Sequence, residues 1–111
     1  MFNFEKLDVW KKAIDLADLI YSLTRCFPDE ERFGLTSQIR RAAVSVSSNI
    51  AEGSSRDSRI EFARFLEVAE GSLFEVVSQS VLAVRLGFLI GSDHLAVYVA
   101  SDELSRMLSG L

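Results

Sequence analysis

Cysteine, histidine, proline and tryptophan each occur once in this 111-residue chain. The lone Cys26 excludes an internal disulfide framework and any cysteine-rich zinc site. Beside Phe27 it reads as a reduced thiol at the core or its rim, which fits a cytoplasmic protein. The lone His94 excludes a histidine cluster. The single Pro28 leaves one enforced chain break. Strand signals are missing too: no alternating β-branched run is bounded by a tight-turn pair such as Asn-Gly. Met1-Phe2-Asn3-Phe4-Glu5-Lys6 carries neither a basic nor an apolar stretch, so no signal peptide is expected. The greasiest stretch, Val76 to Ile90, is interrupted by Ser78, Gln79, Ser80 and Arg85. It is shorter than the ~20 apolar residues of a membrane span, so no membrane association is expected.

What remains is helix. Hydrophobic residues make up 49% of the chain, enough for a core, and 111 residues suit one domain spanning 1–111. Four segments carry a three-to-four-residue apolar period. The first runs from about Asp8, its expected cap, to Arg25, with Val9, Ala13, Leu16, Ile20 and Leu23 on one stripe. Pro28 stops it. The second runs from Thr36 to Glu52, capped by Thr36 or Ser37, with Gly53 expected as a left-handed terminator. The third runs from Arg59 to Gly87 behind a Ser58–Glu61 capping box. Gly71 lies inside it at a cost of about 1 kcal/mol against Ala, so close packing is expected there. The fourth runs from Asp93 to Ser109, capped by Ser92 or Asp93, with Leu95, Val99 and Leu104 facing in, Val97, Ala100 and Leu108 nearby, and a Schellman end at Gly110 that folds Leu111 back. Short connections between four helices give an all-α, antiparallel up-down-up-down four-helix bundle.

The third helix is greasier than one core requires. On a helical wheel Phe62, Leu66, Ala69, Leu73 and Val84 sit mid-sector, with Phe74, Val77, Val81 and Phe88 at its far edge. The sector covers roughly half the circumference, against the stripe of little over ~100° that a bundle helix needs. Homo-oligomerisation through Phe74, Val77, Val81 and Phe88 is the expectation. A monomer with the long helix at its centre is the alternative.

Catalytic constellations are missing. No residue set reads as catalytic or metal-binding, and no cofactor is expected. A di-iron bundle needs Glu-x-x-His twice, and the residue three before His94 is Gly91; His94 reads as solvent-facing. Glu67 and Glu70 share a helix side without further ligands. Gly53-Ser54-Ser55 lacks the spacing of a phosphate-binding loop. The polar face of the second helix, Ser45, Ser48, Asn49 and Glu52, is a candidate site or helix–helix contact.

Charge is unevenly placed. The chain has 12 basic and 16 acidic residues, net −4. Every basic residue between positions 37 and 64 is arginine: Arg40, Arg41, Arg56, Arg59 and Arg64. Guanidiniums suit bidentate phosphate contacts, so the corner between the second and third helices is a candidate RNA or DNA surface. Pairing with Glu52, Asp57, Glu61 and Glu67 is the alternative. Lys11 and Lys12 are expected to pair with Asp15, and Arg106 with Asp102 and Glu103.

Several segments then stand together: Leu7-Asp8-Val9-Trp10-Lys11-Lys12-Ala13, Phe27-Pro28, Phe33-Gly34-Leu35-Thr36, Gln38-Ile39-Arg40-Arg41-Ala42-Ala43 and Ser48-Asn49-Ile50-Ala51-Glu52-Gly53. Ala69-Glu70-Gly71-Ser72-Leu73 and Met107-Leu108-Ser109-Gly110-Leu111 extend the set. In these the chain resembles the four-helix bundle protein family, also called the 23S ribosomal RNA intervening-sequence protein family. The resemblance implies an antiparallel bundle assembled as a ring-like homopentamer, with no enzymatic activity. The family is also similar to accessory proteins of diversity-generating retroelements, which bind a reverse transcriptase and nucleic acid. The partners implied are further copies of the chain and RNA or a nucleic-acid-processing protein.

Overall fold

The computed structural model describes all 111 residues. Four helices form and no strand does: α1 (Asp8–Thr24), α2 (Leu35–Ser54), α3 (Arg59–Arg85) and α4 (Gly91–Ser109). Short 3-10 turns at Asn3–Lys6 and Asp29–Glu31 precede α1 and α2. The molecule measures 44 × 24 × 24 Å. No helix is long and apolar enough to cross a membrane.

The apolar period of each helix supplies the core. Leu16, Ile20, Ile39, Val46, Ile50, Leu73, Val76, Val97 and Leu104 are fully buried in one cluster shared by all four helices. Each such side chain contributes about 1.5–3 kcal/mol on leaving water. A second, smaller cluster of Phe27, Leu35, Ala83 and Leu89 closes one end, where the α1–α2 and α3–α4 connections meet. Phe88 packs there, its ring 5.8 Å from that of Phe27. Polar contacts fix the helix pairing. Ser72 donates to Ser45 across α2 and α3, Ser105 donates to Glu70 across α3 and α4, and Lys12 pairs with Glu103 across α1 and α4.

Helix ends depart from the sequence reading in instructive ways. Half of the expected capping box forms at α3: Ser58 accepts from the Ile60 and Glu61 N–H groups, and the Glu61 side chain does not reach back. Neither Thr36 nor Ser37 caps α2. Gly34 precedes it, and Glu31 reaches back from the preceding turn to accept from the Leu35 N–H at 3.0 Å. Asp8 and Asp93 lie within the first turns of α1 and α4 and neither is a cap. Gly53 is helical, and α2 continues to Ser54. The left-handed glycine is Gly87 (φ +80°). There Phe88 N–H donates to Ala83 O and Gly87 N–H to Val84 O, the two bonds of a Schellman motif. Gly110 is right-handed and Leu111 is exposed. The motif sits at Gly87 because Phe88 there has a buried cluster to join, and Leu111 does not.

Gly71 also departs from expectation. A Cβ added to it would meet nothing within 4 Å. Close approach is instead the property of Gly53, where a Cβ would lie 2.7 Å from the Phe65 Cβ and 2.8 Å from the Phe62 ring.

Candidate interaction surfaces

The five arginines do not form one corner. Arg56, Arg59 and Arg64 surround the α2–α3 connection, all exposed, with the Arg56 guanidinium 4.9 Å from the Phe65 ring centroid. Arg40 and Arg41 lie 14 and 13 residues before the end of α2, about 20 Å away at 1.5 Å per residue. Arg41 is exposed. Arg40 is held against α1: its Nε donates to Thr24 Oγ1 at 2.8 Å, and its guanidinium lies 4.5 Å above the Tyr21 ring. None of the five pairs with a carboxylate. The ion pairs are Lys12–Glu103 at 3.3 Å and Arg106–Asp102. The expected pairing of Arg64 with Glu61 or Glu67 is therefore missing. Lys12 takes a partner on another helix instead of Asp15. Arg106 donates to Asp102, and that bond raises the guanidinium above its ordinary pKa.

The polar face of α2 divides in two. Ser48 and Glu52 are exposed. Ser45 and Asn49 are half-buried and turn toward α3: Asn49 Nδ2 donates to the Ser45 carbonyl at 2.8 Å and to Ser45 Oγ at 3.0 Å, and Ser72 Oγ donates to Ser45 Oγ at 2.8 Å. Asn in a helix interior competes with backbone bonding. Here that tendency is spent on its own helix and on the seam with α3. Glu70 likewise accepts from Ser105 at 2.7 Å, which separates it in role from the exposed Glu67.

His94 is half-buried, not solvent-facing. Its Nδ1 shares a hydrogen bond with the hydroxyl of the fully buried Ser80. Cys26, expected in the core or at its rim, is exposed. No three His, Cys, Asp or Glu side chains gather closely enough to hold a metal ion.

The outer face of α3 and α4 carries the unpartnered apolar surface. Phe74 is 59% exposed and Val81 42%; Val77 is half-buried beside them. Phe88, expected on the same face, is turned into the end cluster with Phe27. Leu95, Tyr98 and Val99 of α4 add exposed apolar area. Between the helices runs a groove of about 330 Å³, lined by Phe74, Val77, Ser78, Tyr98, Ser101 and Asp102 among others. The inward stripe expected of Leu95, Val99 and Leu104 holds only at Leu104: Leu95 and Val99 are exposed, and Tyr98, which the sequence reading passes over, lies outside with them. Only the packing of Val97, Ser101 and Leu104 fixes which side of α4 faces in. The sequence reading also passes over Arg25 and Arg32. The available signal was Pro28 between them: a reversal there brings both beside the first turns of α2.

Comparison with known proteins agrees with this architecture. The profile of the 23S rRNA-intervening sequence protein family matches residues 5–110. A comparison with curated proteins finds no match. Among solved structures, one from Bacteroides thetaiotaomicron, described as a protein with unknown function from the S23 ribosomal protein family, is similar with a TM-score of 0.84. The two chains share 23% identity over 92% of this chain and 95% of the other, a likeness of fold. Neither description names an enzymatic activity. With four helices in place and the match running almost end to end, the chain belongs to the 23S rRNA-intervening sequence protein family.

Proposed function

We propose that this protein is a non-enzymatic, cytoplasmic, homo-oligomeric scaffold: one antiparallel up-down-up-down domain over residues 1–111 that associates as a homopentamer through the outer face of α3 and α4. The observation that carries the reading is the exposure of Phe74 and Val81, 59% and 42%, on a long helix whose other side already fills the core. Apolar surface of this kind, continued by Leu95, Tyr98 and Val99 on α4, marks interaction sites in water-exposed proteins. Gly71 lies one turn before Phe74 on the same side of α3 and leaves room for a neighbouring backbone. The antiparallel order is supported by the pairings Gly53–Phe65 and Ser45–Ser72, and by Ser80–His94 and Glu70–Ser105, in which later residues of one helix meet earlier residues of the next. Pentamer is the order that the family resemblance implies.

The test is a pair of charge insertions. Phe74→Asp and Val81→Asp place carboxylates on already exposed positions, so each variant keeps its helical circular dichroism while its solution mass falls to that of one chain. Retention of the assembled mass in both variants would contradict the proposed face.

A second reading has its own observation. Arg41, Arg56, Arg59 and Arg64 are exposed and none pairs with a carboxylate, so their charge is available to RNA or DNA phosphates, in a ring on several subunits at once. Binding of this kind weakens with salt, and each lost phosphate contact lowers the salt slope by about 1. Arg56→Glu, Arg59→Glu and Arg64→Glu together would abolish it; salt-independent or undetectable binding by the unmodified protein would oppose this reading.

A further inference from the structure

The turn at Pro28 brings together three arginines that no helix period links. Arg25, Arg32 and Arg40 line a cleft of about 270 Å³ at the α1–α2 end, with Thr24, Asp29 and Thr36 completing its polar lining. None of the three guanidiniums pairs with a carboxylate. Arg40 is already positioned: Thr24 Oγ1 accepts from its Nε at 2.8 Å, Thr24 in turn donates to the Ile20 carbonyl at 2.7 Å, and the Tyr21 ring lies beneath the guanidinium.

A second observation, independent of the arginines, points to a ligand. Thr36 is only 8% exposed, and its hydroxyl has no hydrogen-bond partner. A buried hydroxyl left unpaired costs about 1–3 kcal/mol; Thr36 lines the cleft, and a turn of its side chain toward an oxygen acceptor seated there supplies the missing partner. Thr36 also stands in the first turn of α2, where backbone N–H groups lack intrahelical acceptors and favour an anion. The Leu35 N–H is already occupied by Glu31.

From this arrangement we propose that the cleft binds a phosphate monoester. The lining carries three guanidiniums against the Asp29 carboxylate, with the Glu31 carboxylate close by on the Leu35 N–H, and stays positive. A monoester offers three free oxygens and up to two charges to three guanidiniums, where a phosphodiester offers two free oxygens and one charge. The planar forks of Arg25 and Arg32 each take a pair of the three terminal oxygens, sharing one, and Arg40 and Thr36 bond to lone pairs these leave free. The phosphate comes from a small phosphate ester or from the 5′ end of an RNA strand; the chemistry at the cleft is the same. The site stands at the helix connection and does not depend on the oligomer reading.

Isothermal titration at low salt tests it, with inorganic phosphate, adenosine monophosphate, and one short RNA carrying either a 5′-phosphate or a 5′-hydroxyl. Phosphate and the mononucleotide are expected to bind, and the 5′-hydroxyl RNA to bind less than its phosphorylated twin. Phosphorylated RNA binding more tightly than the mononucleotide assigns the source to RNA ends, and equal binding assigns it to small esters. Arg25→Gln and Arg32→Gln, both at exposed positions, each weaken binding about tenfold or more. Thr36→Val removes only the hydroxyl; it weakens binding several-fold without lowering the melting temperature of the free protein. No binding of phosphate or the mononucleotide at about 10 mM, or equal binding by wild type and all three variants, would overturn the assignment. So would loss of the assembled mass in the Arg25→Gln/Arg32→Gln double variant without any phosphate binding, which would give the cleft to a neighbouring copy.

Discussion

Gly53 of α2 and Phe65 of α3 approach so closely that no side chain fits between them: a Cβ on Gly53 would lie 2.7 Å from the Phe65 Cβ. The Phe65 Cβ is fixed to backbone and cannot swing aside. Gly53→Ala gains about 1 kcal/mol of helix propensity, and overpacking in such a seam costs about 1–3 kcal/mol. The variant is expected to be less stable by urea denaturation. Gly71→Ala, with nothing within 4 Å of the new methyl group in the single chain, is expected to be more stable by about 0.5–1 kcal/mol when compared in the Phe74→Asp background, which the proposed face makes monomeric. The opposite order of the two variants would contradict the helix register described above.

Two buried serines on facing helices predict a second contrast. Ser80 is fully buried and bonded to His94, whereas Ser101 is buried with no partner for its hydroxyl. Ser80→Ala leaves the His94 ring nitrogen unpaired and is expected to cost about 1–2 kcal/mol. Ser101→Ala removes an orphan and is expected to change stability by less than about 0.5 kcal/mol or to raise it. Chemical denaturation of both variants reads the difference.

Arg40 and Arg41 are adjacent in sequence and opposite in circumstance. Arg40→Gln loses the bond to Thr24 and the stacking on Tyr21, an expected cost of about 1–2 kcal/mol. Arg41 is exposed and takes no part in an ion pair. Arg41→Gln is expected to leave the melting temperature unchanged. Equal effects would remove the structural role given to Arg40.

Periodicity made the four helices legible, because the apolar repeat and the one proline are local properties. Val9, Ala13, Leu16 and Ile20 were on the inward stripe of α1 by spacing alone, and they are buried. The ends were less legible because they depend on what lies beside them. Glu31 replaces Thr36 as the cap of α2 through a turn whose shape the residues do not announce. Gly53 and Gly71 look alike in sequence, each followed by Ser after Ala-Glu, yet one is pressed against Phe62 and Phe65 and the other faces open space. The candidate sites suffered most. Long arginine side chains choose partners across helices, so Arg40 settled on Tyr21 and Thr24, and His94 found Ser80 fourteen residues away. The apolar excess of α3 was read from its wheel, and Phe74 and Val81 are exposed; Phe88 lies past the end of the helix, where the wheel no longer applies.

Self-association is the claim on which the proposed function turns, and the native mass of the unmodified protein tests it most directly. Light scattering across the micromolar range is expected to give a multiple of the 12.4 kDa chain mass that persists on dilution. A mass of one chain throughout that range, with the helices intact, would contradict the account.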